Sequence, residues 1–134
     1  MTRAPSKVRD EYWVQVGNSL PHPDWTERSG KWLIFVPFQK IDETWKLISE
    51  ETIAGRLDCA SKAATAMRNP LAKNSWMKVI CVYTYDSSDV EDVKRIRQRL
   101  RELGFSRKLS YKSDEATAKG VYSEDSKRVS MSFE

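Results

Sequence analysis

The alternation of apolar and polar residues predicts two helices and several short strands. Two apolar runs bounded by polar or turn residues predict the main strands, at Lys31 to Pro37 and Met77 to Tyr85. Ile41 to Ala54 repeats apolar residues at helical spacing, and Gly55 follows where a glycine often ends a helix. Weaker patterns predict further strands within residues 11–16, 57–67 and 106–111.

The second helix has the strongest helical pattern in the sequence. Its apolar stripe consists of Val90, Val93, Ile96, Leu100 and Leu103. Ser88 and Glu91 have the spacing of a capping box, which predicts that Ser88 caps the start of this helix. Gly104 is expected to end it.

The order of elements is strand, helix, strand, strand, helix, strand, with extra strands. We therefore expect an α+β fold, in which a mainly antiparallel sheet carries two main helices on one face. A split β-α-β sheet of the ferredoxin type satisfies this order equally well. We assign residues 1–29 to an N-terminal strand and loop extension, 30–123 to a single α+β domain, and 124–134 to a C-terminal tail or edge strand.

Composition excludes several classes of protein. Apolar runs fall well short of the roughly 20 residues that span a membrane, and the first ten residues are too polar for a signal peptide. The two cysteines, Cys59 and Cys81, are too few for a disulfide framework or a structural zinc site. We therefore expect a cytoplasmic protein that has no membrane association, metal or other cofactor.

Basic residues are concentrated in two parts of the chain, although the net charge is only +4. The segment from Lys94 to Lys112 contains eight basic residues and one acid, Glu102. A second stretch, from Lys62 to Lys78, contains four basic residues and no acid. Such segregated charge forms either a solvated face or a face that binds anions.

The cations of the second helix divide into two groups. Glu91 precedes Arg95 by four residues, and Asp92 and Glu102 lie near Arg99, so these arginines are expected to form exposed ion pairs. Lys94, Arg97 and Arg101 share one line beside the apolar stripe that contains no acid. Either an anionic ligand compensates the charge of these three residues, or the acids of residues 42–58 or of the tail compensate it.

Catalytic motifs are absent from the sequence. The single histidine, His22, lies between Pro21 and Pro23, and no glycine-rich phosphate loop, HExxH motif or nucleophile elbow is present. We therefore assign no catalytic residue.

Five segments together resemble a known family. They are GKWLIF (30–35), SKAATA (61–66), KVICVYTYD (78–86), RELGF (101–105) and LSYKSDEATAKGVYS (109–123). They resemble the uncharacterised basophilic-leukaemia-expressed, or Bles-type, protein family. The resemblance implies a fold like that of the cap-binding translation initiation factors, in which helices back a curved antiparallel sheet.

Members of this family are sometimes labelled phosphothreonine lyases. That class of enzyme eliminates phosphate with a lysine base, a histidine acid and arginines that hold the phosphate. On a loose alignment the histidine position falls at Leu33 and the lysine position near Tyr85. The resemblance to lyases therefore does not extend to the residues that perform the chemistry.

These observations favour a non-catalytic domain that binds a phosphorylated ligand, RNA or a nucleotide, through a basic surface. The candidate phosphate-binding residues are Lys62, Lys94, Arg97, Arg101 and Lys112. The candidates for stacking or hydroxyl contacts are Trp76, Tyr85, Tyr111, Thr84 and Thr117. One alternative is a phosphate-monoester or phosphothreonine lyase-like enzyme with Lys62 or Lys112 as base. The other is a protein-interaction module whose basic line meets an acidic partner.

Overall fold

The computed structural model describes residues 3–17, 29–58, 60–67 and 77–113, together with the backbone of residues 131–133. These residues form six strands and two α-helices. In chain order they are β1 (Trp13–Gly17), β2 (Gly30–Pro37), α1 (Ile41–Ile53), β3 (Ala60–Ala64), β4 (Met77–Thr84), α2 (Val90–Glu102), β5 (Ser110–Ser113) and β6 (Met131–Phe133).

The six strands form one sheet in the order β1-β3-β4-β2-β5-β6, and all neighbouring strands are antiparallel. The elements β2-α1-β3-β4-α2-β5, with the spatial order β3-β4-β2-β5, form the split β-α-β arrangement. The α+β class is therefore confirmed. Strands β1 and β6 extend the two edges, so the tail residues 131–133 form an edge strand. The likeness to cap-binding initiation factors stays a prediction.

Both helices cover the same face of the sheet. One row of paired residues across five strands consists of Val16, Ser61, Val82, Trp32 and Tyr111. From this row, Trp32 Nε1 donates a hydrogen bond to the Val93 carbonyl oxygen of α2 at 3.1 Å. The Ser61 hydroxyl lies 2.8 Å from the Thr52 hydroxyl of α1. We call this side the helix face and the opposite side the open face.

The core lies between the helices and the helix face. Trp45 and Ile48 from α1 and Ile96 and Leu100 from α2 are fully or almost fully buried. Trp45, one of the apolar residues at helical spacing in Ile41 to Ala54, therefore belongs to the core, and Trp32 joins it from β2. Burying each such side chain contributes about 1.5 to 3 kcal/mol.

Gly30 is required because a neighbouring ring crosses its position. A Cβ atom on Gly30 would lie 2.1 Å from the Tyr111 hydroxyl oxygen. The Tyr111 ring packs against Trp32 with centroids 4.9 Å apart. Its hydroxyl lies 2.6 Å from the hydroxyl of Thr84. A side chain at Gly30 would therefore displace a buried hydrogen bond and an aromatic contact.

The start of α2 differs from the prediction. Asp89, not Ser88, caps the helix, and its carboxylate accepts a hydrogen bond from the Asp92 amide at 3.2 Å. The Asp86 carboxylate instead accepts bonds from the Ser88 amide at 2.9 Å and hydroxyl at 2.6 Å, which hold Ser88 in the preceding turn. Val90 is 55% exposed and is not part of the buried stripe, because it lies in the first turn beside this cap.

The ends of both helices are confirmed. Gly55 and Gly104 have φ angles of 81° and 107°, in the left-handed region that favours glycine. The weak strand predictions are only partly correct, since β3 is shorter than residues 57–67 and β5 begins later than residue 106. The sequence also predicts a loop at 18–30, a turn at 68–75 and a strand at 121–122; Gly30 instead begins β2, and the rest of these segments, apart from Ser29, lies outside the described residues, as does Cys59. Within the described part of the chain, no helix is both long and apolar enough to cross a membrane.

Candidate anion-binding site

Two arginines of α2 hold this helix to the rest of the helix layer. Arg95 Nη2 lies 2.6 Å from Asp58 Oδ1 and 2.8 Å from Asp92 Oδ1. The predicted ion pairing of Arg95 is therefore correct, but its partners are Asp58 and Asp92 rather than Glu91. Asp58 follows α1 in the chain, so the bond joins α2 to the α1–β3 connection.

Arg99 forms the second connection, and its predicted partner Glu102 is confirmed at 3.3 Å. Arg99 also donates to the buried carboxylate of Glu51 at 2.9 Å, and Arg56 donates to the same carboxylate at 2.7 Å. Burial alone would raise the pKa of Glu51, but these bonds outweigh it and lower the pKa below its usual value. Glu51 therefore stays ionised and joins α1 to α2.

Asp58 has the opposite electrostatic behaviour. Its side chain is almost completely buried. Burial and the neighbouring Asp92 carboxylate raise the pKa of Asp58 to about 8, although Arg95 acts against this change. Asp58 has a second carboxylate beside it, whereas Glu51 is bonded to two arginines. We infer that Asp58 holds a proton at neutral pH.

Arg97 does not belong to an exposed line of cations. Its side chain is fully buried (0% exposed). Its guanidinium donates to the carbonyl oxygens of Phe105 at 2.7 Å and Arg107 at 2.6 Å, in the segment between α2 and β5. It also lies 5.9 Å from the centroid of the Trp32 ring. The expectation that Arg97 faces a ligand is corrected, because the chain after Gly104 turns two carbonyls toward it.

The five predicted phosphate-binding residues do not converge. Lys94 and Arg101 are exposed on α2, and α2 covers the helix face. Lys62 and Lys112 lie on the open face, since their strand positions alternate with Ser61 and Tyr111. The helix and the sheet therefore present separate basic groups.

The open face carries three lysines, two of which lie beside one aromatic ring. Lys112 of β5 pairs across the sheet with Lys31 of β2, and Lys31 pairs with Tyr83 of β4. The ammonium groups of Lys31 and Lys62 lie 5.7 Å and 5.8 Å from the centroid of the Tyr83 ring. Lys62 also lies 4.0 Å from the centroid of the Trp13 ring. We call Lys31, Lys62 and Lys112 the lysine cluster.

The lysine cluster combines burial with like charge. Lys112 is only 7% exposed. Burial lowers the pKa of Lys112, and the charge of Lys31 lowers it further, while Cys81 acts in the opposite direction. Cation–π contacts with Trp13 and Tyr83 offset part of the repulsion. A bound anion would offset more of it, because each ammonium group would gain an opposite charge.

Two of the predicted stacking and hydroxyl residues do not lie on this surface. Thr84 and Tyr111 are buried on the helix face and bond to one another. Tyr85 is half-buried after the end of β4, and its carbonyl oxygen accepts a bond from the Ser29 hydroxyl at 3.0 Å. Trp76 and Thr117 lie outside the described residues.

Sequence reasoning missed Lys31, Tyr83 and Trp13. Each occupies a strand position of opposite parity to a residue of the helix face, such as Trp32 or Val82. The alternation of residues along each strand indicates that these side chains lie on the face opposite Trp32 or Val82. The sequence did not indicate which face Trp32 occupies. Phe35, two positions further along β2 from Leu33, also lies on the open face and is 57% exposed.

One comparison with known families matches most of this architecture. A family model described as basophilic leukemia-expressed protein Bles03 matches residues 24–118. The matched range runs from before β2 to beyond β5, so it includes both helices and all three residues of the lysine cluster.

Proposed function

The chain belongs to the Bles03 family, and we propose that it binds a phosphorylated ligand, RNA or a nucleotide, on the open face of its sheet, without catalysing a reaction. One observation carries the proposal: the ammonium groups of Lys31 and Lys62 flank the Tyr83 ring, and Lys112 pairs with Lys31 on the same face. The proposed site therefore lies on the sheet, whereas the sequence favoured a site on α2 formed by Lys94, Arg97 and Arg101.

The lysine cluster suits phosphate. Lysine binds phosphate as a compact point charge, and its three donors rotate to meet the oxygens. A phosphate charge about 4 Å from one ammonium group near a protein surface gains roughly 4 kcal/mol before the cost of removing water. Three lysines on one face supply this attraction from several sides, which the separated cations of α2 do not.

Aromatic side chains beside the cluster suit a nucleobase. Trp13 and Tyr83 are half-buried on the open face, and Phe35 is exposed there. Stacking one base on such a ring contributes about 1 to 3 kcal/mol and tolerates any sequence. Phe35 lies four residues from Lys31 along β2, or roughly 13 Å. A single RNA strand along β2 would then contact the cluster with phosphates and Phe35 with a base.

The test is the salt dependence of binding to a fluorescently labelled single-stranded RNA, followed by anisotropy. Three phosphate contacts predict a log–log slope near about −2, since each contributes roughly −0.7. The double variant Lys31→Gln/Lys62→Gln should reduce the slope to about −0.7. The matched control Lys94→Gln/Arg101→Gln removes the same charge from α2 and should leave the slope unchanged.

Two results would contradict the proposal. One is no binding by the unsubstituted protein at about 50 mM salt, where the electrostatic contribution is strong. The other is an equal loss of slope in the α2 control.

The alternatives predict different results in parallel assays. A binder leaves a phosphothreonine peptide unchanged in mass, whereas elimination leaves a dehydrated residue. If an acidic protein partner occupies the basic surface, a pull-down should survive nuclease treatment and Lys31→Gln/Lys62→Gln should leave RNA binding unaltered.

A further inference from the structure

We propose that Lys112 is a nucleophilic amine, which forms an imine with the carbonyl carbon of a phosphorylated aldehyde whose phosphate is held by Lys31 and Lys62. The inference rests on the proposed function, because the lysine cluster must first bind the phosphate. It adds a covalent step at one residue of that cluster.

The geometry around Lys112 disfavours a charged ammonium group. Its side chain is nearly buried, and burial removes the water that stabilises the charge. Lys31 of β2 is its cross-strand partner, and like charges directly opposite one another in a sheet are destabilising. The other titratable groups described on the strands of this face are Lys62 of β3, and Tyr83 and Cys81 of β4.

Both effects increase the fraction of uncharged amine. The pKa of Lys112 is lowered by burial first and by Lys31 second, and Cys81 only partly opposes this. Only the uncharged amine has a lone pair that can attack a carbonyl, and a desolvated lysine beside another cation is a known way to obtain one. Lys94 and Lys108, by contrast, are exposed to solvent.

The other lysines define the class of substrate. Lys31 lies across the ladder from Lys112, so a phosphate on Lys31 brings the rest of a small ligand within reach of Lys112. The Lys62 ammonium group lies 5.8 Å from the centroid of the same Tyr83 ring, so it adds a second positive charge on this face. A small molecule that carries both an aldehyde and a phosphate therefore fits the cluster better than an aldehyde alone.

The reaction balances without an oxidant or a reductant. The lone pair of Lys112 Nζ forms a bond to the carbonyl carbon, while the C=O π electrons move to oxygen, which takes a proton. The resulting carbinolamine then loses its hydroxyl with a proton as water. The products are the C=N imine and one water molecule.

The test uses pyridoxal 5′-phosphate as the probe, with borohydride added afterwards to reduce the imine to a stable amine. Peptide mass mapping then measures the rate of modification at each lysine. We expect Lys112 to react several-fold faster than the exposed Lys94 and Lys108, because burial and Lys31 increase the fraction of its uncharged amine. Pyridoxal without the phosphate should react at Lys112 much more slowly.

Lys112→Arg is the matched variant, since it keeps a cation but has no nucleophilic amine. It should lose the rapid modification, and circular dichroism should show that it folds. Reaction at Lys112 no faster than at Lys94, with RNA binding intact, would overturn this inference alone. Equal reaction with pyridoxal would overturn the role of phosphate.

A different set of results would contradict the proposed function itself. If the unsubstituted protein does not bind RNA and Lys31→Gln/Lys62→Gln does not slow the reaction with pyridoxal 5′-phosphate, the cluster is not a phosphate site. Rapid reaction that persists in that double variant would also contradict the substrate class proposed here.

Discussion

Helix α2 and the open face of the sheet are both rich in cations, but their cations have different surroundings. Arg95, Arg97 and Arg99 each donate to named carboxylates or carbonyls within the protein. Lys31 and Lys62 lie beside the Tyr83 ring, and Lys112 pairs with Lys31 across the sheet. The number of basic residues in a segment of the sequence therefore did not indicate which surface would bind an anion most favourably.

The chemistry of the two side chains explains this difference. A guanidinium presents several donors in a fixed plane, so it can join two acceptors, as Arg97 does with the carbonyls of Phe105 and Arg107. An ammonium group is a compact charge on a flexible stem, which suits an external phosphate. Cations of α2 should therefore support stability, and those of the open face should support binding.

Arg97→Met should have the largest effect on stability. It leaves two carbonyl oxygens without their donor in a partly buried segment, while the methionine refills most of the volume. We expect a loss of about 3 kcal/mol in the free energy of unfolding, measured in urea. A loss below about 0.5 kcal/mol would show that Arg97 does not hold the α2–β5 segment.

Asp58→Asn should change the pH dependence of stability. The pKa of Asp58 is about 8 in the folded protein, above its unfolded value, so between about pH 4 and 8 the unfolded state binds fewer protons. Stability of the unsubstituted protein should therefore fall through this range. The asparagine keeps an oxygen for Arg95 but cannot ionise. The thermal unfolding temperature of the variant should therefore fall less over this pH range. Identical profiles would contradict the protonation of Asp58 in the folded protein.

Lys112→Met should change stability in the opposite direction to Arg97→Met. It removes a nearly buried amine that faces Lys31, and we expect a gain of up to about 1 kcal/mol without ligand. The gain should shrink when RNA is present, since only the unsubstituted protein gains the phosphate contact. Loss of stability by more than about 1 kcal/mol would remove the contrast between the two surfaces.

Arg101→Gln should have the smallest effect. The side chain is exposed on α2, so the free energy of unfolding should change by less than about 0.5 kcal/mol. Anisotropy titration with RNA should give the same affinity as the unsubstituted protein. A clear loss of affinity would indicate that the RNA-binding site lies on α2.

The sequence predicted most of the fold because periodicity and glycine placement are local signals. Helices α1 and α2 and strands β2 and β4 follow from apolar spacing, and Gly55 and Gly104 mark the helix ends. The helix cap was displaced by one residue because Ser88 and Asp89 are both good caps, and only the Asp86 contacts decide between them.

The candidate site was less predictable because it depends on non-local pairing. Lys31 and Lys112 are neighbours only through the β2–β5 register, which a pattern within one strand does not specify. The burial of Arg97 depends on the path of the chain after Gly104. Lys62 and Lys112 were identified from the sequence, but the cations expected beside them were those of α2 rather than Lys31.

The most direct test of the account is an NMR titration of the ¹⁵N-labelled protein with a short single-stranded RNA. The account predicts that the amides of Lys31, Lys62, Tyr83 and Lys112 shift together, while those around Arg101 in α2 do not. Shifts centred on α2, with the open face unchanged, would contradict it.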